Sequence, residues 1–279
     1  MSLTCYHNKK LMCEFCKKHA GDKQKWYFNP KNYSKEMGEA RIELLEKIAR
    51  DRGYERWVIS GFGTIEQLKD IPLLNKLFAN IGEKQFKKTE GGQIIPVNDA
   101  LKVLELCENP AILPCTCRQI AGEEKYCCLN FGLIPELYKK ANPDAYMEEI
   151  SVNKAKRLLQ EWDKEGLYHV ILWGKAPYVT SVCNCTPAYC LAHKGRFVLG
   201  MKNSMLKGEY VARVSEGKCQ GCKNCLTQCQ FGAISFNVDH GKAFTDIRRC
   251  VGCGLCATEC ENNAVELIER QFTPAKNLW

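Results

Sequence analysis

The chain has no run approaching the roughly 20 consecutive apolar residues that a helix needs to cross a bilayer. Its opening, Met1-Ser2-Leu3-Thr4-Cys5, lacks the basic-then-apolar layout of a secretion signal. The expectation is a protein that folds in water and resides in the cytoplasm. Several motifs are missing as well. There is no Gly-x-Gly-x-x-Gly run for a dinucleotide, no Gly-x-x-x-x-Gly-Lys run for a nucleotide phosphate, and no Cys-x-x-x-Cys-x-x-Cys run of the kind that serves adenosylmethionine radical chemistry. Gly61-Phe62-Gly63-Thr64 is too short to stand for any of them. Nor is charge of one sign concentrated anywhere. The 40 basic and 32 acidic side chains leave a formal charge of +8, and the lysines at 9, 10, 17, 18, 87, 88, 139 and 140 are scattered as on a solvated surface. That distribution argues against nucleic acid and leaves room for a partner with an acidic docking face.

Cysteine is abundant, with 19 in 279 residues. A disulfide scaffold and metal ligation compete to explain such a number. Without a secretion signal the second is the better explanation, and the odd count agrees, because clusters take ligands in fours and tolerate spare thiols. The expected setting is reducing and anaerobic.

Residues 1–25 hold Cys5, His7, Cys13, Cys16 and His19 among lysines, with little apolar material. Helical spacing follows over residues 34–52 through Ile42, Leu44, Leu45, Ile48 and Ala49, with Gly53 as a stop. A second helix is expected from the capping pair Thr64 and Gln67 through Leu68, Ile71, Leu74, Leu77 and Phe78. A third is expected after Asn98, ending at Asn109-Pro110. Farther on, Val152, Ala155, Leu158, Leu159 and Trp162 predict a core-facing helix, and Leu167 to Trp173 a strand.

The strongest signal is an internal repeat. Cys219, Cys222, Cys225 and Cys229 follow the pattern Cys-x-x-Cys-x-x-Cys-x-x-x-Cys, and Cys250, Cys253, Cys256 and Cys260 repeat it 31 residues later. The flanks repeat too, as Gly232-Ala233-Ile234 and Asn263-Ala264-Val265. Three cysteines two residues apart can wrap one face of a cubane while backbone amides turn toward its sulfides. Two zinc knuckles would use paired cysteines instead. The segment from about Tyr210 to Arg270 closely resembles the bacterial-type two-cluster ferredoxin domain. The resemblance implies two [4Fe-4S] clusters with crossed ligands: Cys219, Cys222, Cys225 and Cys260 for one, Cys229, Cys250, Cys253 and Cys256 for the other. One departure is that Gln230 and Glu261 stand where a proline usually follows the fourth cysteine.

The middle of the chain supplies seven more thiols: Cys115, Cys117, Cys127, Cys128, Cys183, Cys185 and Cys190. They suit a third iron-sulfur cluster, with Cys117, Cys128, Cys183 and Cys185 as a ligand set, while zinc or spare thiols remain alternatives. Arg118 would put a cation beside an anionic cluster or substrate, or be an ordinary ion-paired arginine. His169 and His193 read as structural. With Pro114-Cys115-Thr116-Cys117-Arg118, Gly166-Leu167-Tyr168-His169 and Cys183-Asn184-Cys185, residues 95–270 resemble larger, poorly characterised iron-sulfur proteins of anaerobes. At the amino terminus, Cys5, His7, Cys13 and Cys16 are expected to form a zinc site, with an iron-sulfur cluster or no metal as alternatives.

The expected fold class is α+β: a largely helical amino-terminal and middle region with a small cysteine-ligated core, followed by a ferredoxin-like domain. The expected units are a metal-binding segment at 1–25, a helical region at 26–110, a cysteine-rich region at 111–205, the dicluster domain at 206–270 and a tail at 271–279. The expected function is iron-sulfur electron transfer, in which low-potential electrons pass through two [4Fe-4S] clusters and a third cluster to a partner redox enzyme. The alternative is a reductase whose middle centre binds substrate and is fed by the ferredoxin domain. No residue is singled out as catalytic.

Overall fold

The computed structural model describes residues 14–49, 90–123, 125 and 127–278, with isolated positions at 60, 61, 63, 64, 66, 67, 71 and 79. The expected helix through Leu68 to Phe78 lies largely outside these residues, as do Cys5, His7 and Cys13. No helix among the described residues is long and apolar enough to cross a membrane.

A six-stranded antiparallel sheet organises the middle of the chain. Its strands are β1 (Glu90–Ile95), β2 (Ala111–Leu113), β3 (Cys128–Asn130), β4 (Glu148–Glu149), β5 (Tyr168–Gly174) and β6 (Val179–Cys185), in the order β1-β5-β6-β3-β2-β4. The sequence reading expected a largely helical region with one strand here. It missed the sheet because β2, β3 and β4 are only two or three residues long, too short for a period of two to register. The strand expected at 167–173 is β5.

One face of the sheet is the main core. Ile171, Val182, Leu129 and Ile112 point to it, and the helices Val97–Val103 and Val152–Lys164 cover it with Ala100, Val103, Ala155, Leu159 and Trp162. The Val152–Lys164 helix begins where the Ser151 hydroxyl accepts the Lys154 amide at 3.2 Å. It ends at Gly166, whose φ of +83° allows the amides of Gly166 and Leu167 to turn back onto Asp163 and Trp162. The helix expected over 34–52 is divided into Lys35–Glu39 and Ile42–Ala49.

The carboxy-terminal unit is built from two β-pairs and two short helices. Strand β7 (Tyr210–Val214) pairs with β10 (Val265–Glu269), and β8 (Ile234–Asn237) with β9 (Lys242–Thr245). The helices are Asn224–Gln228 and Leu255–Thr258. The internal repeat is visible in the backbone: Lys223 and Gly254 are both left-handed, as are Gly232 and Asn263, each pair 31 residues apart.

Polar groups tie this unit to the rest. The Asp99 carboxylate receives the Lys25 ammonium at 3.2 Å, the Tyr27 hydroxyl at 2.8 Å and the Tyr210 hydroxyl at 3.1 Å. Arg270 is fully buried and donates to three backbone carbonyls within 3.0 Å, Gly208 at 2.9 Å, Tyr210 at 2.9 Å and Cys250 at 3.0 Å, and to a fourth, Leu278, at 3.5 Å. Replacing it with alanine strands three buried acceptors, each costing about 1–3 kcal/mol. The expected result for Arg270→Ala is a loss of at least about 3 kcal/mol in denaturant unfolding of the full chain; a loss below about 1 kcal/mol would show that the three contacts do not hold the unit.

Candidate metal centres

The loop geometry of the carboxy-terminal unit draws the eight repeat cysteines into two groups. Cys219, Cys222, Cys225 and Cys260 line one pocket, with Val214, Ala243 and Ala264 around them. Cys256 has Cys253, Cys250 and Cys229 as neighbours ahead of Cys225 of the first pocket, and Cys253 has Cys250 and Cys229, so those four thiols share the second locus. The fourth cysteine of each run therefore sits with the other run's three, the crossed grouping.

The donor set and its surroundings fit iron-sulfur clusters. Backbone amides already point at thiol sulfurs. Ala233 donates to Cys229 Sγ and Ala264 to Cys260 Sγ, both at 3.2 Å, and Ala212 donates to Cys250 Sγ at 3.4 Å. Such donors stabilise an anionic metal-sulfur group. Gly221 and Gly252 hold φ of +74° and +77°, and a Cβ at either would meet backbone oxygen, at 2.6 Å from Gly241 O and 2.3 Å from Tyr210 O.

In the middle region, antiparallel pairing sets Cys128 directly opposite Cys183, with their sulfurs 3.5 Å apart. Along β6 the alternation of side chains puts Ser181, Cys183 and Cys185 on the face away from the core. Cys115 stands at the start of the helix Thr116–Ile120 and Cys117 in its first turn, and Cys190 stands at the start of the helix Leu191–Phe197. Cys128 and Cys183 are in hydrogen-bond contact, Cys115 has Cys127 and Cys128 as its neighbouring thiols, and Cys185 has Cys183 and Cys190. Cys117 is half-buried beside Cys190 and Cys115. The expected set Cys117, Cys128, Cys183 and Cys185 is thus brought together, and Cys115, Cys127 and Cys190 join it. The pairing of β3 with β6 is what converges them, a long-range feature that linear spacing does not carry.

The thiols of the basin divide, three drawn toward the thiolate and four, Cys117 by burial among them, held as thiols. Hydrogen bonds from Cys127 and Cys128 hold the Cys115 thiol at about 3, and hydrogen bonds from Cys128 and Cys185 hold Cys183 at about 5. Cys190 is also lowered, chiefly by Cys185. Their donors Cys127, Cys128 and Cys185 are raised in turn, each first by its hydrogen bond to an accepting neighbour. A thiolate is the form that ligates metal.

The remaining expected sites divide. His169 is buried, with Nδ1 2.6 Å from Asn184 Oδ1 and Nε2 3.2 Å from Asp163 Oδ1, and so spends both nitrogens on structure. Cys16 is fully buried and its thiol donates to Glu209 Oε1 at 3.0 Å; its expected zinc partners lie outside the described residues. Among the described residues no three His, Cys, Asp or Glu side chains form a single-ion site.

Sequence reasoning overlooked Tyr168. This fully buried ring belongs to an apolar cluster with Val251, Leu255, Cys253, Cys185 and Phe231, its hydroxyl lies 3.3 Å from His193 Nδ1, and Cys190 and Cys185 are among its neighbouring thiols. It stands between the middle thiols and the Cys253 locus.

No curated protein matches the chain in sequence. Residues 218–265 match the family model of the 4Fe-4S dicluster domain. The chain therefore carries at its carboxy-terminal end an iron-sulfur domain of the 4Fe-4S dicluster type, whose chemistry is electron transfer.

Proposed function

We propose that the chain relays electrons between a redox partner and a third iron-sulfur centre held by its own middle cysteines, through the two clusters of the carboxy-terminal domain. The observation that carries this reading is the Tyr168 contact. An apolar cluster that includes Tyr168 takes in Cys253 of one ferredoxin locus and Cys185 of the middle basin, and Cys190 neighbours the same tyrosine. When bound, the clusters supply reversible one-electron chemistry. The protein's part is to hold them, to direct amides at their sulfurs, and to keep water out of the space between them. Gln230 assists the docking, since its side-chain amide donates to the Gly166 carbonyl at the end of the Val152–Lys164 helix. In the position where a ferredoxin proline is expected, this chain has an inter-region hydrogen bond.

The test is iron and sulfide analysis of the full chain prepared anaerobically, together with electron paramagnetic resonance of the reduced protein. About twelve irons per chain are expected, three clusters of four. A value near eight would reduce the protein to a two-cluster carrier.

The second reading, a reductase, is favoured by one observation. The middle thiols form only part of the wall of a cavity of about 700 Å³ that extends past them to Tyr138 and Asn142. That volume lies within the range of small-molecule sites, about 300–1,000 Å³.

A further inference from the structure

Arg118 lines this cavity beside Cys115 and Cys117. It is 6% exposed, and its guanidinium carbon lies 4.6 Å from the centroid of the Tyr189 ring. Stacking occupies a flat face and leaves the N–H edge available. Among the described residues no carboxylate pairs with it and no side-chain hydrogen bond is made by it. The acidic side chain nearest its ring partner, Glu123, is engaged by the Tyr189 hydroxyl at 3.0 Å. A buried guanidinium whose five donors have no hydrogen-bond acceptor is costly, and the neighbouring Cys115 offers it charge without the pair of oxygens that its fork would match. The fork geometry of arginine matches the two oxygens of a carboxylate.

The remaining wall indicates what would be attached to that carboxylate. Leu113, Ile134, Tyr138 and Leu172 give the cavity an apolar lining, and Asn130 and Asn142 add polar groups. We propose that the cavity binds a small organic carboxylate, its carboxylate paired with Arg118 and its apolar body lying along Leu113, Ile134, Tyr138 and Leu172. The inference rests on the preceding reading for its redox meaning, since a metal centre at the middle thiols makes the bound molecule its neighbour. Binding itself is measurable apart from that reading. The simpler role for Arg118, a counter-charge to the thiolates, makes a different prediction.

The experiment is calorimetric titration of the anaerobically prepared full chain with acetate, benzoate and phenylacetate, with benzamide as the uncharged control and iron content measured on every sample. Benzoate or phenylacetate is expected to bind saturably, and benzamide at least tenfold more weakly. Arg118→Gln is expected to weaken carboxylate binding at least tenfold with iron unchanged, and Arg118→Lys to weaken it less, because charge is kept and the two-pronged contact is lost. The proposal is overturned if none of the three acids binds wild type, if benzamide binds as well as benzoate, or if Arg118→Gln binds benzoate unchanged. It is also overturned if Arg118→Gln loses about four irons, the mark of a counter-charge to the cluster. Iron near eight in wild type with Arg118-dependent binding intact would remove the third centre and leave the carboxylate site standing.

Discussion

Serine at both Cys115 and Cys183 is expected to lower iron by about four per chain while leaving the resonances of the two ferredoxin clusters in place. These two positions are the principal acceptors of the middle thiol network, each held low by hydrogen bonds from two other cysteines. They lie on different elements, one at the start of the Thr116–Ile120 helix and one on β6. Losing both removes the thiols most ready to ligate and leaves their donors without acceptors. Cys253→Ser is the converse. It strikes the second ferredoxin locus, so one ferredoxin resonance should disappear while iron assigned to the middle basin remains. Equal iron in wild type and in the Cys115/Cys183 double variant would refute a cluster at the middle thiols.

Gly252→Ala is expected to cost about 2–4 kcal/mol in stability and to prevent loading of the cluster at the Cys250 locus. Its φ of +77° is one that side chains rarely adopt, and the added Cβ would sit 2.3 Å from the Tyr210 carbonyl oxygen. That oxygen is backbone and already accepts from Arg270, so it cannot swing aside. Gly217→Ala, where nothing lies within 4 Å of the new carbon, is the matched control and should change stability by less than about 0.5 kcal/mol. Thermal unfolding and iron analysis of both variants decide the matter; equal behaviour of the two would show that the loop yields where the geometry says it cannot.

The parts of this molecule that were legible in advance are those with local rules. Three cysteines at a spacing of two with a fourth beyond them specify a cluster loop within a dozen residues. Val152, Ala155, Leu158, Leu159 and Trp162 specify a helix with one apolar face. What escaped was decided by distant pairing. The three residues of β2 or of β3 carry no period of their own, and they become strands only because β3 finds the edge of β6 and β2 the edge of β3. The same pairing sets Cys128 opposite Cys183, a juxtaposition of two of the expected ligands that linear spacing does not carry. Tyr168 escaped for a related reason. In the sequence it is one apolar residue at the start of a strand, and its position between two sulfur-rich loci comes from the docking of Phe231 and Leu255 against it. Gln230 was read as a departure from the ferredoxin pattern, and its use became visible only with Gly166 beside it.

That docking makes two chemically alike halves unequal as electron acceptors. Near the Cys219 locus, Cys222 and Lys223 are exposed to solvent, and the Lys242 ammonium reaches the Cys219 carbonyl. Near the other locus, Cys253 has the Asp163 carboxylate as a charged neighbour and an apolar core against it. Adding an electron adds negative charge, which nearby lysines and water favour and a nearby carboxylate in apolar surroundings opposes. A reductive titration should therefore resolve into two midpoint potentials, the first electron settling on the solvent side and the second, more negative, on the side that faces Tyr168.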